Sequence, residues 1–77
     1  MNKARRTRLD KIIEKLEEIK EELEEIKDEE EEAFYNLPES LQYSEKGDKM
    51  EDAIAYIEDA SDDIDSVIDT LTEATQI

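Results

Sequence analysis

The sequence contains no cysteine and no histidine, which excludes a disulfide framework, a structural zinc site and the usual nucleophilic and acid-base constellations. No apolar run escapes interruption by acids, so neither a signal peptide nor a transmembrane segment is expected, and the chain reads as cytoplasmic. Only one glycine and one proline occur in 77 residues. A single core of this size supplies roughly 3 to 5 kcal/mol. With staples and metals absent, oligomerisation is the remaining common source of stability, and more than one chain is expected.

What is present is charge, of mostly one sign. Charged residues make up 45% of the chain and the formal net charge is -15. The bases gather at the start, where Lys3, Arg5, Arg6, Arg8 and Lys11 face only Asp10. From Glu51 onward the chain carries Glu51, Asp52, Glu58, Asp59, Asp62, Asp63, Asp65, Asp69 and Glu73, and no base. A field this negative argues against direct nucleic-acid binding and against anionic membranes, both of which require cationic surface.

The apolar residues are ordered rather than scattered. Leu9, Ile12, Leu16, Ile19, Leu23 and Ile26 recur at alternating steps of three and four, a heptad seam with leucine at a and isoleucine at d. Glu30 interrupts it at a, inside the acidic run Asp28 to Glu32, and Ala33 resumes it at d. Like charges three and four residues apart repel, which makes this the weakest part of the helix. Thr7 followed by Asp10 resembles a capping box, so the first helix is expected to begin between Lys3 and Arg8. Pro38 removes a helical hydrogen bond and biases Leu37 out of the helical region, which ends that helix near Asn36. PESLQ can form one turn of its own, and Ser44 is a suitable N-cap for a second helix. Gly47 costs about 1 kcal/mol inside a helix, so the start of the second one is expected to be ragged.

Met50, Ala53, Ile57, Ala60, Ile64, Val67, Leu71 and Ala74 carry a second seam, large at a and small at d. Both seams fit one antiparallel register that sets Leu9 by Ala74, Ile12 by Leu71, Leu16 by Val67, Ile19 by Ile64 and Ile26 by Ile57. Ile13, Phe34, Ile54 and Ile68 remain at e and widen each apolar stripe toward what a four-helix bundle needs. The expected fold is therefore all-α: residues 1–77 as one antiparallel two-helix hairpin, a coiled coil with helices over about 3–35 and 45–75 and a connection over 36–44. The hairpin is expected to dimerise into a four-helix bundle.

No motif carries chemistry, and no enzyme, metal or cofactor is expected. DASDDIDSVID has the acid density of a calcium loop without its glycine or ligand spacing. Two features point to binding. Phe34, Tyr35, Leu41 and Tyr43 cluster at the connection, and aromatics are enriched in interface hot spots, although a small bundle also uses them to close its ends. Asp59, Asp62, Asp63, Asp65 and Asp69 give the second helix an acidic character suited to a basic partner surface. Arg5, Arg6 and Arg8 could instead hold a small anionic nucleotide or pair with acids of the second helix.

The stretch NLPESLQYSEKGDKMEDAI after a Glu/Lys-rich helix resembles a pattern in small, acidic, functionally uncharacterised proteins of phages and mobile elements of Gram-positive bacteria. The resemblance implies a phage accessory protein of a class that often binds and blocks a host protein. The functional expectation is a non-enzymatic protein-binding homodimer, an inhibitor or DNA mimic acting on a host nucleic-acid-handling protein. An oligomeric nucleotide binder and a purely structural oligomerisation module are the alternatives.

Overall fold

A computed structural model describes all of residues 1–77 as helices and short connections, with no strand. The elements are α1 (Lys3–Tyr35), α2 (Glu39–Gln42) and α3 (Glu45–Thr75). The molecule measures 58 × 15 × 11 Å, set by the 33 residues of α1 and the 31 of α3 lying alongside each other.

Each end of these helices has a local cause. Asn2 caps α1, its side chain accepting the Arg5 N–H at 2.9 Å. Thr7, the capping-box candidate, lies inside the helix, which begins at the early end of the expected range, and donates its hydroxyl to the Lys3 carbonyl at 3.0 Å. Asn2 prevails because it satisfies the free N–H groups one turn earlier, lengthening the helix at no packing cost. At the other end the Asn36 N–H donates to the Glu32 carbonyl at 3.0 Å, and Pro38 then opens the single turn of α2. Gln42 Nε2 reaches back to the Leu37 carbonyl at 3.0 Å and that of Tyr35 at 3.4 Å, satisfying acceptors left by the end of α1. Ser44 caps α3 and accepts from the Gly47 N–H.

Gly47 has a reason to be in a helix. It is buried, and a Cβ built on it would lie 2.1 Å from the Gln42 carbonyl oxygen. The glycine lets α3 pass tight against the end of α2, and that close approach is what its helix-propensity cost buys.

Residue numbers fall along α3 as they rise along α1. Arg6 donates a guanidinium N–H to the Ile77 carbonyl at 2.9 Å, Lys20 meets Asp65, and Glu30 shares a hollow with Met50 and Ala53. The two long helices thus run in opposite directions along the rod.

The rotation of the helices differs from the expected one. Taking Leu9 as a, the residues of α1 turned toward α3 are Arg6, Leu9, Ile13, Leu16, Lys20, Leu23, Lys27, Glu30 and Phe34, which are positions a and e. On α3 the matching row is Gly47, Met50, Ile54, Ile57, Ser61, Ile64, Ile68, Leu71 and Thr75, again a and e, with Ala53, Ala60 and Ala74 at d half-buried beside it and Val67 exposed. The expected a/d seam is therefore corrected: Ile12, Ile19 and Ile26 do not face α3, and they remain 46%, 48% and 43% exposed. The reason lies in the side chains of α3. Its d positions hold mostly alanine, while its e positions include Ile54 and Ile68, so turning e inward covers the larger apolar side chains of α3 and leaves the isoleucines at d of α1 outside.

Candidate functional site

The a/e seam leaves an unpartnered apolar stripe on one side of the pair. Positions b of both helices lie on one side of the seam, where Glu17, Glu24, Lys20, Asp65 and Ile68 line a common hollow. Positions d must then lie on the opposite side of both helices. That face exposes Ile12, Ile19 and Ile26 from α1 and Val67, 47% exposed, from α3, with Ala53, Ala60 and Ala74 half-buried alongside. Hollows open along it at both ends. One is bordered by Met1, Arg5, Arg8, Leu9 and Ile12, another by Ser66, Val67, Thr70 and Leu71, and a third by Glu30, Lys46, Lys49 and Met50. An apolar row of this length on a narrow rod is the kind of surface that marks an interaction site.

The seam itself is imperfectly satisfied. Ser61 is buried in it and its Oγ has no hydrogen-bond partner, and the same is true of Arg6 Nε. Lys20, turned into the seam by its e position, makes a 2.7 Å ion pair with Asp65 and a 3.6 Å one with Glu24. The hydrogen bond to Asp65, with the charges of Asp65 and Glu24, raises the Lys20 ammonium above its ordinary pKa against a smaller opposing effect of desolvation.

The aromatic cluster at the connection is divided. Phe34 is buried and meets Tyr35 edge-on, ring centroids 5.4 Å apart. Tyr35, Tyr43 and Leu41 are exposed, the two tyrosines strongly so. Phe34 thus closes the end of the helix pair while the others face outward.

The acids of α3 also divide. Asp65 is engaged by Lys20, whereas Asp59, Asp62, Asp63 and Asp69 are exposed without a base beside them. Asp52, Asp59, Asp62, Asp69 and Glu73 occupy positions c and f, pointing away from α1. No group of acidic side chains is arranged to hold a metal ion. The arginines are separated: Arg6 turns into the seam toward Ile77, while Arg5 and Arg8 border the hollow on the apolar face.

The stripe is the feature that sequence reasoning misplaced. The heptads place its residues inside the helix pair, and the alanines at d of α3 beside Ile54 and Ile68 at e are the sequence signal against that. No helix is long and apolar enough to cross a membrane. Comparison with protein-family models, with curated proteins and with solved structures finds no match.

Proposed function

We propose that this chain is a non-enzymatic protein-binding module: a helical hairpin that pairs with a second copy into a four-helix bundle and offers its acidic outer face to a protein with a basic surface. The observation that carries the reading is the separation of two surfaces on one rod. The apolar row Ile12, Ile19, Ile26 and Val67 lies on one side, and the acids Asp52, Asp59, Asp62, Asp69 and Glu73 point away from it and from the seam. Covering the first leaves the second free. With a formal charge of -15, the paired rod attracts cationic surface at long range, and salt screens that attraction. The row of carboxylates suits the basic nucleic-acid groove of a host enzyme, in the manner of a DNA mimic, and the resemblance of NLPESLQ and its flanks to small phage proteins implies a host protein as the target.

The test is capture of a basic host protein by the purified chain, in low and high salt and with duplex DNA as competitor. Release by salt and by DNA, and loss of capture by Asp59→Asn/Asp62→Asn/Asp69→Asn at unchanged melting temperature, is the expected result. Capture that survives salt, ignores DNA and requires Tyr35 and Tyr43 would move the binding surface to the connection. A nucleotide released on denaturing the protein would favour an anion site at Arg5 and Arg8 instead, since Arg6 is turned into the seam.

A further inference from the structure

We infer that the second copy lies end for end across the apolar stripe, α1 stacked on α1 and α3 on α3, with the basic tail of each chain against the acidic run of the other. This rests on the self-pairing reading and adds its orientation. A face-to-face pair of rods with two-fold symmetry has two choices. Either the chain ends of both copies lie together, which stacks α1 on α3, or the copies are reversed, which stacks each helix on itself running the opposite way. Apolar residues do not decide between them, since each choice covers the isoleucines of α1 and the small d residues of α3.

Charge decides. The positions flanking the stripe on α1 are g, and they read Arg8, Lys15, Glu22 and Glu29: two bases toward the tail and two acids toward the connection. All are exposed, and Arg8 borders the same hollow as Ile12. Reversal with Ile19 beside Ile19 of the second copy sets Ile12 by Ile26, Arg8 by Glu29 and Lys15 by Glu22, each pairing occurring twice by symmetry. One like-charge meeting accompanies it, Asp63 with itself at g of α3. The other choice places the g row of α1 against that of α3, which reads Lys49, Tyr56, Asp63, Thr70 and Ile77. It forms no opposite-charge pair and sets Glu22 by Asp63 twice. The gradient along α1 is thus complementary to itself only when reversed, the kind of patterning that selects one orientation over another.

The chain has no cysteine, so thiols can be placed freely. Sedimentation equilibrium comes first. Chains carrying Arg8→Cys and Glu29→Cys are then mixed and treated with a short bifunctional thiol reagent, beside a mixture of Lys15→Cys and Thr70→Cys. The first mixture is expected to cross-link between unlike chains and the second is not. Arg8→Glu/Lys15→Glu should weaken self-association on the order of tenfold, and adding Glu22→Lys/Glu29→Lys should restore it. A folded monomer throughout the micromolar range would overturn self-pairing and this orientation together. A dimer that links 15 to 70 and not 8 to 29 would overturn the orientation alone.

Discussion

Ile12 and Ile13 are neighbours of the same residue type on the same helix, yet Ile13 is half-buried against α3 while Ile12 stands 46% exposed on the opposite flank. The contrast repeats down α1, where Lys20 enters the seam and Ile19 does not. An apolar stripe spanning a, d and e is wider than one partner helix can cover. Which edge that partner takes is decided by the partner. Here α3 offers large side chains at a, Ile54 and Ile68 at e, and mostly alanine at d, so the isoleucines at d of α1 are left over, and a lysine is accepted into the seam because Asp65 is there to receive it. The seam holds the helix pair together; the stripe is apolar surface that the single chain has not used.

The comparison breaks most sharply on a single charge placed in each surface. Leu16→Asp puts a carboxylate in the seam against α3, and the cost, about 3 kcal/mol or more, is comparable to all the stability a core of this size provides. It should abolish the helical signal in circular dichroism at room temperature. From the heptads alone Ile19→Asp would be expected to do the same. With Ile19 nearly half exposed, it should instead leave a folded chain and remove self-association, read as helicity retained with a monomer mass. If both variants unfold, seam and stripe are not separate surfaces.

Phe34 and Tyr35 give a second pair of neighbours with opposite fates. Phe34→Ala removes a buried ring at the end of the seam and should cost about 3 kcal/mol in thermal or urea denaturation. Tyr35→Ala loses an edge-on contact and little burial, under about 1 kcal/mol. Equal losses would mean that the exposed tyrosine also closes the bundle.

How much of this was legible in sequence follows from the range of the interactions concerned. Pro38, Ser44 and the heptad period act within a few residues, and the two long helices with their limits near Tyr35 and Glu45 could be read from them. Asn2 is a weaker sequence signal than Thr7 with Asp10, although it is Asn2 that caps α1. Gly47 read only as a weakness because the carbonyl of Gln42, which requires it, approaches through the folded turn. Rotation of the seam depends on the relative bulk of d and e on a helix distant in sequence, and the strict repeat on α1 masked it. Of the candidate site residues, the outward acids of α3 could be placed from heptad positions, whereas the different placement of Phe34 and Tyr35 could not.

Inside the seam, Ser61 is the position where sequence and packing disagree, and improving it should strengthen one surface without touching the other. Its hydroxyl is buried with no partner, a cost of about 1 to 3 kcal/mol that alanine would not incur, and alanine is also the better helix former. Ser61→Ala should therefore raise stability by about 1 kcal/mol, a melting shift of roughly 4 to 8 °C at this chain length. If the chains pair across the stripe as proposed, the dimer dissociation constant should not change.

The smallest expected effect concerns the ion pair at the seam's edge. Lys20 is raised above the ordinary 10.5, first by its hydrogen bond to Asp65 and then by the charges of Asp65 and Glu24, with desolvation opposing. A lysine whose folded pKa exceeds its unfolded value binds its proton more tightly in the folded state. Its contribution is complete below the unfolded pKa and disappears as pH rises through the folded one. The wild type should melt slightly above Asp65→Asn at pH 8 and 9, and the difference should close only above about pH 10.5, where the unfolded lysine begins to release its proton. Taking the difference between two proteins removes the ionisation of groups they share. A gap that closes well below that pH, or that persists unchanged through it, would mean that Lys20 lies in the seam for the packing of its methylene stem and not for its charge.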